Sequence, residues 1–309
     1  MLVDAKTFEL APGVERLLGP EGWKTELFSC LIETNTPVCD SPAAALGELV
    51  RLRRDVREAA AREGLAVAAA GTHPVSHSDG QPIVQEPRYL KMVEELGPQV
   101  KRQLVCGLHV HVGMASFEEC LRTLAAILPW LPSVLALSVN SPYVAGEEAG
   151  VLSARAARLL ELPRGGPPPG MSTEREWEQR IEATGEDYTR SWWDARPHPR
   201  LGTLEIRIAD QPTSVERAAA LAALVQALCA DPPAERPAGD YLTQRAAAAA
   251  GSAHSERLLE LVAPAARSLG TSELVERLRD PAEALRQLEV GRRDGLAAVA
   301  ADIVREAAA

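Results

Sequence analysis

The chain has 309 residues, 46% hydrophobic and only 4% aromatic, with a formal net charge of −10. That length can bury a substantial core, and the acidic balance excludes a protein that holds nucleic acid through a basic surface, though local arginines can still bind small anions. No uninterrupted apolar run reaches transmembrane length, no signal peptide is visible, and five scattered cysteines without a C-x-x-C pair suit reduced thiols in the cytoplasm.

Residues 1–4 read as the end of a strand, followed by a turn at Ala11-Pro12-Gly13 and a short helix. Residues 23–36 read as strand. Ser41 and Pro42 mark a helix start, a capping side chain followed by proline at the first helical position. That helix runs to Glu63 and stops at Gly64. Residues 65–70 form an apolar strand that ends in the Gly71-Thr72-His73-Pro74 loop. Residues 87–102 are helical in pattern, and a strand over 106–113 follows. Ser116 caps the next helix, with Glu119 completing a capping box; Pro129 and Pro132 break it, and a further apolar helix spans 133–138.

Residues 146–171, with Arg155 and a glycine–proline run at 165–170, read as a long functional loop. Ser172 caps a helix carrying Glu174, Glu176 and Trp177. Residues 192–194 and 202–209 read as strands around a turn at Arg196-Pro197-His198-Pro199. From Ser214 onward the pattern is helical, with breaks at Pro232, Gly251, Gly270 and Gly291. Strands before residue 210 and helices after it, without regular crossovers, predict an α+β fold with an antiparallel sheet. We expect one domain over 1–309, sheet-rich to 213 and helical from 214.

The stretch Cys106-Gly107-Leu108-His109-Val110-His111-Val112-Gly113 alternates strictly. On a strand, Leu108, Val110 and Val112 share one face and His109 and His111 the other. Paired imidazoles suit a metal or a polar ligand; they also suit a merely solvated face. In Thr203-Leu204-Glu205-Ile206-Arg207-Ile208 the three apolar residues face a core, while Thr203, Glu205 and Arg207 share the opposite side. A glutamate with histidines can hold a divalent cation, and an arginine can grip a carboxylate or phosphate with two parallel hydrogen bonds. The plainer reading is a surface ion pair of little energetic value. Glu26 and Glu33 fall on opposite faces of a regular strand, so only a bulge or turn between them brings both to one site. Walker and dinucleotide glycine patterns and a serine nucleophile elbow are absent from the sequence.

Taken in order, Glu33-Thr34-Asn35-Thr36-Pro37-Val38-Cys39, Gly71-Thr72-His73-Pro74, Arg88-Tyr89, Gly107 to Gly113, Ser141-Pro142-Tyr143, Arg196-Pro197, Gly202 to Arg207 and Asp210-Gln211-Pro212-Thr213 resemble the type 2 glutamate–cysteine ligase family of carboxylate–amine ligases. The resemblance covers nearly the whole chain. It implies a glutamine synthetase-like fold in which a curved antiparallel sheet forms a cradle packed with helices. It implies ATP-dependent joining of the glutamate γ-carboxylate to the cysteine amine through an acyl phosphate, with Mg2+ neutralising ATP, in a cytoplasmic protein that acts on small molecules, self-associates, and binds neither nucleic acid nor membrane. By position it places Glu26, Glu33, His109 and Glu205 near metal, and Arg207, Arg155 and Arg196 near phosphate or substrate carboxylate as catalytic groups. His109, His111 and Arg207 would line the nucleotide site. Family members begin with a glutamate-rich strand just ahead of the stretch matched by Leu2-Val3-Asp4, which this sequence lacks. That departure keeps open a member that binds ligand with little turnover, or a ligase for another amine or carboxylate. A helical scaffold with a solvated polar sheet face is the reading furthest from these.

Overall fold

The first strand, β1 (Leu2–Asp4), leads through a turn into the single-turn helix α1 (Val14–Leu17). The computed structural model describes residues 1–184 and 187–309. The segment expected as one strand at 23–36 is a hairpin of β2 (Trp23–Thr25) and β3 (Ile32–Thr34), with Lys24 opposite Glu33. Ser41 starts α2 (Pro42–Arg62) as its sequence predicts, its hydroxyl accepting from the Ala44 N–H at 3.2 Å. β4 (Leu65–Val67) then pairs antiparallel with β1, Leu2 opposite Val67. The helix expected over 87–102 is split into α3 (Pro87–Leu96) and α4 (Pro98–Lys101), because Gly97 takes φ +58° and Pro98 follows it.

β5 (Val110–Gly113) is the regular half of the expected histidine strand; ahead of it Gly107 makes an isolated bridge to Asp210, and the Leu108 N–H bonds Ala209 O at 3.1 Å. Ser116 caps α5 (Phe117–Ile127), and α6 (Leu131–Ser138) follows a short 3₁₀ turn. Pro129 and Pro132 fall in first turns, where a missing N–H costs nothing. The helical run Phe117–Ser138 is, after all, long and apolar enough to cross a membrane by length and composition, and 72% of its most apolar window is buried inside the protein. Most of its buried apolar side chains belong to the same cluster as those of the segments Thr203–Ile206 and Val215–Ala230.

β6 (Tyr143–Val144) and β7 (Glu147–Glu148) form a small hairpin. Arg155 is not on a loop: Ser153 caps a helix, α7 (Ala154–Leu159), that carries it. Helix α8 (Glu174–Glu182) is capped by Thr173, one residue later than expected, while the Ser172 N–H donates to the Glu176 carboxylate at 2.7 Å. Arg196-Pro197-His198 is not a turn but strand β8 (Ala195–His198), joined to β9 (Thr203–Ile206). Proline is tolerated there because β8 is an edge strand. The helical remainder comprises α9 (Val215–Ala230), α10 (Tyr241–Ala249), α11 (Ser255–Ser268), α12 (Ser272–Glu276), α13 (Glu283–Asp294) and α14 (Leu296–Glu306). Gly291 lies inside α13, and Gly295, at φ +84°, ends it.

The fold is α+β; among the described residues every strand lies ahead of residue 207 and only helices follow, as expected, although the longest helix, α2, sits among the strands. Among the described residues the strands fall into four separate antiparallel sheets, β1–β4, β2–β3, β5–β9–β8 and β6–β7, rather than one continuous curved sheet. Alanine-rich α9 is apolar nearly all round and correspondingly buried. It packs on α2, α11 and α12 and beneath β5. Leu204, Ile206 and Ile208, at most 1% exposed, join its side chains in one apolar cluster, each contributing about 1.5–3 kcal/mol by burial. A second cluster gathers Leu2, Val3, Phe28, Val56, Val299 and their neighbours, so the β2–β3 hairpin, α2 and the C-terminal helix share one core.

Candidate functional site

The site is built on the three-stranded sheet, with β9 in the middle. The register places Val110 opposite Ile206 and Val112 opposite Leu204, which buries one face. It also aligns His111, Glu205 and Arg196 in a single row on the other. The alternation in both strands thus produces the expected polar floor.

Glu205 is its centre and is 2% exposed. Its Oε2 accepts from Arg196 Nε at 2.6 Å, and its Oε1 accepts from Arg207. His109 Nδ1 and His111 Nε2 lie 3.6 Å and 3.8 Å from the same Oε1. Burial alone would raise the Glu205 pKa, but Arg207 and Arg196 overrule it and hold the carboxyl far below its usual range. Arg196 turns its Nη1 to main chain, at 2.7 Å from Thr189 O and 3.1 Å from Ser191 O. Arg207 keeps 16% of its side chain open.

The histidines are the accessible part of the floor. About a third of each side chain is exposed, 34% for His109 and 33% for His111. Surrounding protein pushes the pKa of both down, helped at His109 by the Arg207 charge, so both are neutral at pH 7. Arg207 approaches His109 Nδ1 at 3.3 Å. A guanidinium can only donate, which assigns the imidazole proton to Nε2. His111 Nδ1 shares a hydrogen bond with Thr203 Oγ1 at 2.9 Å, and its ring meets the edge of His198 at 5.4 Å. His198 continues to Tyr188, whose hydroxyl is 3.3 Å from its Nδ1.

The β2–β3 hairpin supplies the acids. Glu26 follows β2 and Glu33 lies in β3, so the turn between them resolves the face problem of a single strand. Glu26 has its pKa raised, first by burial and then by Glu33, while Arg207 and Arg88 pull it down. Glu33, Arg207 and Arg88 therefore all act on the charge of Glu26. Arg88 is in turn held by Glu86 at 2.9 Å and by the Thr25 hydroxyl at 2.9 Å.

Arg155 is 3% exposed. Its guanidinium donates to Ile208 O at 3.0 Å and Arg207 O at 2.9 Å, and packs flat against Gly107. It therefore grips the main chain of β9's continuation, and its Nε, next to Gly107, has no hydrogen-bond partner.

Among the described residues, no three histidine, cysteine, aspartate or glutamate side chains converge as a ready metal cluster. The quartet Glu26, Glu33, His109 and Glu205 is thus not preassembled. Glu205 has its oxygens on Arg196 and Arg207, and His109 has Nδ1 on the same Arg207, whereas half-buried Glu26 has its pKa raised by loss of water and by Glu33. Magnesium commonly takes one or two carboxylates and completes its shell with water and phosphate; Glu26 with Glu33 is the pair that would supply them.

Two polar hubs escaped the sequence reading. Asp210, fully buried, accepts from Ser141 Oγ at 2.6 Å, Ser153 Oγ at 2.8 Å and the Asn140 N–H at 2.9 Å, with Arg155 at 3.8 Å. That explains the Ser141-Pro142 and Asp210-Gln211 motifs structurally. The second hub pairs Asp194 with Arg245; the signal in the sequence was only an arginine within an alanine helix.

The sequence model of glutamate-cysteine ligase family 2 matches residues 4–303. A Rubrobacter xylanophilus protein named "Putative glutamate--cysteine ligase 2-3" is 36% identical, with all of this chain and 94% of that protein aligned. One from Herpetosiphon aurantiacus, "Putative glutamate--cysteine ligase 2", is 37% identical over 74% of this chain and 62% of its own length. A second Rubrobacter protein, "Putative glutamate--cysteine ligase 2-1", is 37% identical over 74% of this chain and 64% of its length. The match along almost the whole chain runs through both strands of the polar floor and the acidic hairpin, and the chain belongs to glutamate-cysteine ligase family 2.

Proposed function

We propose that this chain is an ATP- and magnesium-dependent ligase that joins the γ-carboxylate of glutamate to an amine, that of cysteine. Family membership supports the reaction class. The single observation that carries the reading is Arg207, 16% open and hydrogen-bonded to both Glu205 and His109, whose charge also acts on Glu26. An arginine near carboxylates suits a complex of a divalent cation with phosphate. Magnesium bound at Glu26 and Glu33 would neutralise phosphate charge as the phosphoryl group leaves ATP.

The chain's own groups then position and neutralise. Arg207, with 16% of its side chain open, is the arginine placed to meet a phosphoryl or carboxylate oxygen. Glu205 holds Arg207 and Arg196 in place and carries no proton in the working range. Neutral His109, with its proton on Nε2, offers a donor to an anionic oxygen rather than a second positive charge. The γ-carboxylate of glutamate accepts the phosphoryl group with release of ADP; the amine then attacks the acyl carbon, phosphate leaves and the amine loses a proton. Five free thiols support a cytoplasmic setting.

A coupled assay of ADP release tests this, with glutamate fixed and a panel of amines headed by cysteine. Turnover that needs both glutamate and an amine is expected. Magnesium–ATP binding in calorimetry without glutamate-dependent ADP release would overturn the ligase reading. It would favour a ligand-binding member instead, a second reading that draws on the sequestration of Glu205 by two arginines.

A further inference from the structure

We propose that Arg245 and Asp194 are positioning residues for Arg207, an inference that rests on reading Arg207 as the anion-gripping arginine. Both are 2% exposed. Arg245 makes a two-pronged contact, Nε to Asp194 Oδ2 at 2.8 Å and Nη2 to Oδ1 at 3.0 Å. Its Nη1 donates to Ala156 O at 2.8 Å. Tyr241 adds its hydroxyl to Asp194 Oδ2 at 2.9 Å.

The main chain converts this pair into a device. Asp194 O accepts the Arg207 N–H at 2.8 Å, and the Asp194 N–H donates to Gly166 O at 2.7 Å. The Arg207 carbonyl accepts from Arg155 Nη2 at 2.9 Å. Arg155 is the neighbour of Ala156 in α7, the helix whose carbonyl Arg245 holds. The contacts close into a ring: Arg245 to Asp194, Asp194 to the Arg207 N–H, the Arg207 carbonyl to Arg155, and along α7 back to Arg245. Arg207 lies just beyond the last residue of β9, where the β8–β9 pairing continues only through its N–H to Asp194 O, the Asp194 N–H being turned away to Gly166 O. The ring holds the Arg207 residue at both its N–H and its carbonyl. Its side chain must reach Glu205 and His109 together, and a peptide free to tilt would swing the guanidinium away from both.

Stability alone does not call for such a pair, since apolar residues of similar volume commonly serve a buried site as well. A planar fork sets orientation, which an apolar contact does not. α10 thereby becomes part of the site although none of its residues touches the polar floor.

The test compares Arg245→Lys with Arg286→Gln, a variant that breaks a separate ion pair joining α13 to α14. Hydrogen–deuterium exchange of the Arg207 amide is read by NMR in the absence of substrate, beside kcat and KM for the ADP-release reaction. Arg245→Lys is expected to speed exchange at Arg207 on the order of tenfold, the effect of weakening one buried hydrogen bond, and to lower kcat/KM by a similar factor. Arg286→Gln is expected to change neither. If Arg245→Lys does not fold, Tyr241→Phe removes one bond to Asp194, and a smaller rise at the same amide is expected. Unchanged Arg207 exchange in a folded variant of either kind overturns the proposal. The exchange reading needs no turnover, so an inactive wild-type chain would overturn the ligase reading separately.

Discussion

Arg196 Nε donates to Glu205 Oε2 at 2.6 Å directly across the β8–β9 ladder, in a row that His111 completes from β5. Side chains that face one another across three strands come from segments with no periodic relation in the chain. Their agreement in charge and burial makes the polar floor a built arrangement rather than a solvated one. Glu205→Gln tests it. The substitution preserves shape but leaves buried Arg196 and part-buried Arg207 without their counter-charge, and a broken buried pair commonly costs about 3–5 kcal/mol. Urea unfolding is expected to show that loss as a lower midpoint with an unchanged slope; a change within about 0.5 kcal/mol, typical of surface substitutions, would mean the floor is merely solvated.

His73 predicts an acid sensitivity away from the site. Its Nδ1 accepts from the Ser76 N–H at 2.9 Å and the Val75 N–H at 3.2 Å, so the ring proton is on Nε2, which donates to Phe8 O at 2.9 Å. Burial pushes its pKa from 6.5 to about 4. The unfolded chain therefore takes up this proton first, and the contribution to stability is full above pH 6.5 and lost as pH falls toward 4. The loss amounts to ~3 kcal/mol at 1.36 kcal/mol per pH unit. Unfolding free energies of wild type and His73→Gln, measured across that range, should converge at the acid end. Parallel curves would show that His73 does not titrate with folding.

Gly107 is expected to resist even alanine. A Cβ there would lie 2.1 Å from Arg155 Nη2 and 2.5 Å from its Cζ. The guanidinium, 3% exposed and bonded to two carbonyls, has to leave them. Gly107→Ala should cost ~1–3 kcal/mol through those unsatisfied groups and weaken magnesium–ATP binding by displacing the Arg207 peptide. Thermal unfolding and calorimetry read the two effects. A variant with native stability and affinity would show that Arg155 relaxes freely.

The sequence carried the parts of this architecture that depend on near neighbours. The two alternating strands, the Ser41 and Ser116 caps and the break at Gly64 all obey local rules, and all are present. Misreadings came where local and tertiary reasons for one residue type diverge. Pro197 reads as a turn signal, yet it sits in an edge strand opposite Leu204. Gly291 reads as a helix stop, yet α13 runs through it, and the glycine serves packing instead: a Cβ would lie 2.3 Å from the Tyr143 hydroxyl. The Asp194–Arg245 contact joins residues 51 positions apart and leaves no periodic trace. The same separation of scales governs the site: each strand's polar face was legible, but the capture of Glu205 by Arg196 and Arg207 depends on strand register.

Glu26 separates a cation site from a structural acid. Burial and the neighbouring Glu33 raise its pKa, so its charged form is disfavoured in the protein without a cation. Glu26→Gln removes that penalty and should leave stability equal or higher in metal-free buffer. The same variant removes a carboxylate from the pair that would supply magnesium, and should weaken magnesium-dependent ATP binding by at least about tenfold, the lower end of what loss even of a supporting group near a metal costs. Magnesium titrations at fixed ATP, followed by calorimetry, provide the reading, with chemical unfolding as the companion measurement. The opposite movement of the two quantities is the signature. A loss of stability with unchanged magnesium dependence would instead make Glu26 a member of the hairpin's internal hydrogen bonding, through its contact with the Leu27 N–H at 3.1 Å.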